Sequence, residues 1–175
     1  MDNFNRTGPG LGANWVGSGP TIVGNQLVGG ADASIFWQPA FGTDQYASVK
    51  IIQLNGCDGI GLLLKASGNT PASGLVFVGY NRCGYPKISI YGYNPTWGGY
   101  APFGGGNVPT FTPGDVLSAR MQANGLVSVF YNSTLVASAT LDAGNAGFDT
   151  GRPGQIGLTT SSSAVIVDDF NGGTQ

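Results

Sequence analysis

The sequence predicts an all-β protein, an antiparallel β-sandwich or jelly roll. Three observations carry this. Short runs alternate apolar and polar residues with a period of two, the pattern of a half-buried strand. Gly, Pro, Asn and Asp punctuate those runs at short intervals, and 31 of the 175 residues are Gly. No stretch carries the 3.6-residue periodicity of an amphipathic helix, so no βαβ unit is expected.

The runs follow in order. Ile22–Val28 and Ser34–Gln38 are the weaker ones, with Trp15 and Trp37 beside them; both indoles are expected to pack in the core or at a sheet edge. The clear ones are Tyr46–Leu54, Ile60–Ala66, Leu75–Tyr80, Lys87–Tyr93, Val116–Ala123, Leu126–Tyr131, Leu135–Thr140, Gln155–Thr159 and Val165–Phe170. Turn signals separate them: SGNTPASG at 67–74, NRCGYP at 81–86, ANG at 123–125 and YNST at 131–134. There is no repeat and no linker composition, so one domain over 1–175 is expected.

Alternation also assigns faces. In Lys87–Tyr93, Ile88 and Ile90 share one side with Gly92, while Ser89, Tyr91 and Tyr93 share the other. The Ile side is expected in the core and the Tyr side on a sheet surface. Leu117, Ala119 and Met121 are core candidates, with Ser118, Arg120 and Gln122 outward. Leu62 and Leu64 oppose Leu63 and Lys65, so that strand is expected to be covered on both sides.

Composition removes whole classes of function. Charged residues make up 9% of the chain, against roughly 25% in an ordinary soluble protein. Seven basic residues against nine acidic ones leave no basic patch for nucleic acid. There is no His, and every acidic residue is Asp; Glu is absent. The usual general base is missing, no Ser/His or Cys/His pair can be built, and zinc sites of His or multi-Cys type are out. No run approaches the roughly 20 apolar residues of a membrane helix. Met1 is followed at once by DNFNR, which reads as folded sequence rather than a signal peptide. Either a signal has been removed or the protein leaves its cell another way, of which release by lysis is one.

Two cysteines invite a geometric argument. If 46–54, 60–66, 75–80 and 87–93 form a meander, the turns holding Cys57 and Cys83 fall at one end of the sheet. Their Cα atoms then come within the roughly 6 Å a disulfide requires. The alternative is two free thiols in a protein kept in a reducing compartment.

DNFNRTGPGLGANWV (2–16), GQIGLTT (154–160) and AVIVDDF (164–170) resemble the two ends of concanavalin A-like lectin/glucanase (LamG-like) jelly rolls. The N-terminal form looks most like modules of phage minor tail and other virion proteins. The resemblance implies that the chain's ends lie side by side and that nearly the whole chain is this fold. It implies a concave sheet on which the family's binders hold glycans. It also implies a calcium ion near Asp2, Asp168 and Asp169; those carboxylates capping backbone N–H groups or pairing with Arg6 is the other reading. Glucanases of this fold carry an E-x-D-x(x)-E strand motif, which a chain without Glu cannot have. A retaining hydrolase needs two carboxyl groups about 5 Å apart, and the adjacent Asp168 and Asp169 point to opposite faces. The lyases of this fold need His, Tyr or Lys bases; Lys50, Lys65 and Lys87 are present, but no His. No enzyme is expected.

The stretch YGYNPTWGGYAPFGGGN (91–107) holds five aromatics, six glycines and no charge. Tyr91, Tyr93, Trp97 and Tyr100 are candidates for a platform on which sugar rings stack, with Asn94 or Asn107 fixing hydroxyls. The competing reading makes 91–107 a Gly-rich loop whose Trp97 and Phe103 plug the sheet edge or face a neighbouring subunit. The expectation is a non-enzymatic module on a virion surface, a tail adhesin or capsid decoration, binding a glycan or a neighbouring virion protein. The alternative is a secreted bacterial carbohydrate-binding module of a larger polysaccharide-active enzyme. If the module is a decoration or fibre protein, copies of the chain are expected to associate as dimers or trimers, with 91–107 and 8–30 as the candidate surfaces.

Overall fold

The computed structural model describes residues 1–175 apart from 71–73, 84–86, 97, 143, 145–146 and 148. Among the described residues the chain runs through β1 (Trp15–Gly17), β2 (Thr21–Val23), β3 (Gln26–Val28), β4 (Ala33–Trp37) and β5 (Gln45–Gln53). Then follow β6 (Gly59–Ala66), β7 (Leu75–Asn81), β8 (Lys87–Asn94) and β9 (Gly99–Asn107). The last five are β10 (Val116–Met121), β11 (Leu126–Tyr131), β12 (Thr134–Thr140), β13 (Gln155–Thr160) and β14 (Ile166–Thr174). They form two seven-stranded antiparallel sheets, one in the order β1-β4-β13-β6-β7-β8-β9 and the other β12-β11-β10-β5-β14-β3-β2. Two sheets packed face to face make a β-sandwich of jelly-roll type.

Period-two alternation sorts each strand between core and surface. On β5, Ala47, Val49 and Ile51 are buried, while Tyr46, Ser48 and Lys50 point outward. On β10 it is Leu117, Ala119 and Met121 that go in, and on β8 Ile88 and Ile90. Each fully buried aliphatic side chain contributes about 1.5–3 kcal/mol. Strand β6 is buried along nearly its whole length. Leu62 and Leu64 join the inter-sheet core, whereas Leu63 and Ala66 join Phe36 and Leu75 in a second apolar cluster.

The chain's ends meet. Asp2 bridges Phe170 in antiparallel fashion, and its N–H donates to the Phe170 carbonyl at 2.9 Å. The buried Asp2 carboxylate accepts from the Phe4 N–H at 2.8 Å and the Trp15 indole N–H at 2.7 Å, and pairs with Arg6. Trp15 is buried between Phe4 and Phe170, at ring distances of 6.1 and 5.0 Å, with Trp37 edge-on at 5.2 Å. Both indoles are packing residues.

Three sequence expectations change. The meander does not begin at β5: that strand lies in the second sheet, and the meander is β6-β7-β8-β9. Residues 54–58 cross between sheets instead of turning a hairpin. The 91–107 stretch is not a loop, because its second half is β9, paired to β8 with Tyr100 opposite Tyr93. Pro102 and the glycines are tolerated because β9 is an edge strand. A Cβ at Gly104 would stand 3.0 Å from Ala139 Cβ and one at Gly106 2.9 Å from the Val136 carbonyl, so side chains there would push β9 off β12. Ile22–Val28 is a two-stranded hairpin rather than one strand. Gly24 and Asn25 turn it at φ of +59° and +63°, as a two-residue hairpin loop requires.

Cys57 and Cys83 are joined, with Cα atoms 4.4 Å apart at a sequence separation of 26. The bond ties the crossing loop to the β7–β8 turn. Its removal in a Cys57→Ser, Cys83→Ser variant is expected to cost about 3 kcal/mol in urea unfolding, the chain-entropy value for a loop of this size. Non-reducing mass spectrometry of the parent protein is expected to find no free thiol; two free thiols would contradict the linkage.

Candidate binding face

The outer face of the β6–β9 sheet gathers four aromatic rings. Phe77 comes from β7, Tyr91 and Tyr93 from β8, and Tyr100 from β9. Tyr91 and Tyr93 stand on the side of β8 opposite Ile88 and Ile90, so alternation alone puts them outside the core. Phe77 stacks on Tyr91 at 6.0 Å and 27°, and meets Tyr100 edge-on at 5.9 Å. Tyr100 also meets Tyr91 at 6.3 Å and Tyr93 at 5.0 Å. Tyr100 is 46% exposed. Burial, and then the neighbouring Tyr93, raise its phenol above the ordinary tyrosine value, so it remains an O–H donor through the neutral range.

Phe77 is held in an unusual attitude. Gly61 on β6 pairs directly with Gly79 on β7. A Cβ on Gly61 would lie 2.1 Å from Phe77 Cε2, and one on Gly79 2.5 Å from Phe77 Cζ. The ring therefore fills the space above both glycines. It leans along its own strand and lies on the sheet rather than standing up from it. The ring is thereby held low on the outer face, where it borders both depressions of that face.

Two depressions open on this face. One has a volume of about 390 Å³ and reaches past Asn81, Lys87 and Ser161; the other, about 430 Å³, reaches Ser34, Leu63 and Tyr100. Asp32, Phe77, Tyr91 and Thr159 border both. Polar groups flank the rings: the Ser34 hydroxyl donates to Thr159 Oγ1 at 3.1 Å, and Thr159 donates to the Ala33 carbonyl at 2.9 Å. Among the described residues lining the two depressions, Asp32 is the one carboxylate. The paired carboxyls of a retaining glycosidase are not assembled there.

The other site candidates lie elsewhere. Asn94 is 1% exposed and sits on the core side of β8, opposite to Tyr93. It accepts the Thr96 N–H at 2.8 Å and holds the turn into β9; it cannot fix a ligand hydroxyl on the outer face. Asn107, at the end of β9, pairs with Lys87. Trp97 lies outside the described residues. Phe103 packs inward over Gly92 beside Leu141. The three carboxylates of the calcium expectation each have a partner within the chain. Asp2 is engaged as described, Asp168 accepts the Asp169 N–H at 2.9 Å, and Asp169 reaches Lys50 at 3.3 Å. Among the described residues no three His, Cys, Asp or Glu side chains converge on a metal position.

Sequence reading missed Phe77, the Gly61–Gly79 pair and Asp32. The signal for Phe77 was available, since it shares parity with Gly79 and opposes the core residues Val76 and Val78. The pairing of Gly61 with Gly79 needs the strand register.

With the geometry in hand, the chain can be set beside known proteins. No family model matches it, and no curated protein matches its sequence. Its fold is shared with the carbohydrate-binding module CBM66 from Bacillus subtilis: TM-score 0.71, 14% identity, over 92% of this chain and 96% of that one. It is also similar to a Bacillus subtilis protein of unknown function with a galectin-like fold, at TM-score 0.69 and 11% identity over 92% and 89% of the two chains. LamAcat from Zobellia galactanivorans follows at TM-score 0.62 and 14% identity, over 96% and 86%. The class is thus the galectin-like and concanavalin-like β-sandwich, a fold that hosts both binders and enzymes.

The floor can be tested directly. Gly61→Val places methyl groups where the Phe77 ring lies. It is expected to expel the ring, change the near-ultraviolet circular dichroism, and destabilise by about 1–3 kcal/mol in urea unfolding. An unchanged spectrum and midpoint would mean the ring does not rest on the glycine pair.

Proposed function

We propose that the protein is a non-catalytic glycan-binding module whose ligand lies across the outer face of the β6–β9 sheet. The observation that carries the reading is the Phe77 ring laid over Gly61 and Gly79, with Tyr91 and Tyr100 around it. A flat ring bordered by hydroxyls and one carboxylate suits a sugar, which offers an apolar C–H face and a rim of O–H donors. The shared fold with a protein described as a carbohydrate-binding module supports it. The absence of Glu and His from the chain supports a role without catalysis.

The low charge of the chain and its phage-like N-terminal motif favour a place on a virion surface, where the module would hold a host glycan. The second reading is a carbohydrate-binding module of a secreted bacterial enzyme, favoured by the likeness to CBM66 over nearly the full length of both chains. The two readings share the site and differ in what carries it.

A glycan-array screen of the parent protein beside Phe77→Ala and Tyr100→Ala tests the site. The parent is expected to bind at least one glycan. Each variant is expected to lose about tenfold or more in affinity, the scale of one lost stacking contact with its buried area. Binding by the parent that survives in both variants would move the site off this face. No binding to any glycan, with the fold intact by circular dichroism, would turn the aromatic face into a protein interface.

A further inference from the structure

We propose that Asp32 selects the ligand of this face, and that the ligand is a neutral oligosaccharide of at least two units presenting vicinal hydroxyls to that carboxylate. The inference rests on the glycan reading above and names its ligand class.

Length follows from the two depressions. They adjoin at Phe77, since Asp32, Phe77, Tyr91 and Thr159 border both. At about 390 and 430 Å³, each lies near the lower end of the roughly 300–1,000 Å³ typical of small-molecule sites. A single sugar ring would occupy one and leave the other wet. A chain crossing Phe77 fills both and keeps the ring under its middle.

The role of Asp32 follows from how it is held. Its backbone takes φ of +47°, a left-handed conformation uncommon outside Gly, Asn and Asp. The loop before it is pinned by the buried Thr160: the Gly30 N–H donates to Thr160 Oγ1 at 2.9 Å, and that hydroxyl donates to the Gly30 carbonyl at 3.0 Å. The Asp32 N–H donates to the Ser161 carbonyl at 3.3 Å. Yet among the described residues no group of the chain hydrogen-bonds or pairs with the Asp32 carboxylate. Asp32 is exposed, so water satisfies its carboxylate in the free protein; its held backbone keeps those two acceptor oxygens at the border of both hollows, where a ligand's O–H donors can replace that water. A carboxylate only accepts, through two oxygens, so it asks for two O–H donors side by side.

Neutrality follows from charge. A uronate or sulfate at the junction would face Asp32 directly. Among the described residues lining the two depressions Lys87 is the one cation, and it borders only the first. Asp32 and Lys87 are both exposed and screened alike, so the bias against an anion rests on position: Asp32 borders both depressions and Lys87 only one.

Titration calorimetry with named probes tests this: laminaritetraose, cellotetraose, mannotetraose and galactotetraose as neutral chains, tetragalacturonate as the acidic one, and the corresponding monosaccharides. The proteins are the parent, Asp32→Asn and Asp32→Gly; both replacements accept a positive φ, so the fold is expected to hold. The parent should bind at least one neutral tetrasaccharide, about tenfold or more above its monosaccharide, and leave tetragalacturonate unbound. Asp32→Gly should lose about ten- to a hundredfold, the scale of hydrogen bonds to a charged group, with Asp32→Asn between. Equal affinity in Asp32→Gly, equal affinity for the monosaccharide, or preference for tetragalacturonate overturns the proposal. So does binding to some array glycan but to none of the four neutral probes. A parent protein that binds no glycan at all brings down the glycan reading itself.

Discussion

Each strand has two faces, and the inter-sheet core can take only one of them. On β5, β8 and β10 this constraint sends Val49, Ile51, Ile88, Ile90, Leu117 and Met121 inward and Tyr46, Lys50, Tyr91, Ser118 and Arg120 outward. Once Ile88 and Ile90 are committed to the core, Tyr91 and Tyr93 have nowhere to go but the outer surface. The same rule places Phe77 outside because Val76 and Val78 are inside. The candidate site is therefore a by-product of core formation, made into a site by what covers the outer face. Small residues at Gly61, Gly79, Ser34 and Thr159 leave room for rings to lie down rather than stand.

The sandwich also has to manage its open edges, since unpaired edges invite foreign strands. Here β9 closes over β12, and glycines at 104 and 106 allow the approach. At the chain's ends, one buried carboxylate, Asp2, gathers a backbone N–H, an indole and a guanidinium. Leaving those donors unsatisfied in the core would cost about 1–3 kcal/mol each. The same carboxylate that the fold resemblance suggested for calcium is thus occupied with holding Trp15 and the N-terminus in place.

What the sequence made legible follows from locality. Strand positions and faces are local, so Ile88, Ile90, Leu117, Ala119 and Met121 fell where alternation put them. The double-sided burial of β6 was readable because Leu62 to Leu64 offer apolar residues to both faces. Sheet membership is not local. Nothing in residues 54–58 distinguishes a hairpin from a crossing between sheets, and β5 was placed beside β6 on that account. Strand β9 was hidden by Gly and Pro, whose usual meaning as loop formers is suspended at an edge. Asn94 was read with the tyrosines beside it, yet its parity sends it to the core side. Phe77 and Asp32 were invisible as a pair because they come from distant parts of the chain and meet only through β4, β13, β6 and β7.

The central claim is that ligand binds the outer face of the β6–β9 sheet, over Phe77. Chemical-shift mapping by nuclear magnetic resonance, titrating the tightest array glycan into labelled protein, tests it most directly. The account predicts that the largest shifts fall on the Gly61 and Gly79 amides and the Phe77, Tyr91 and Tyr100 rings. Shifts confined to the outer face of the other sheet, where Arg120 lies over Phe130 at 5.2 Å, would contradict it.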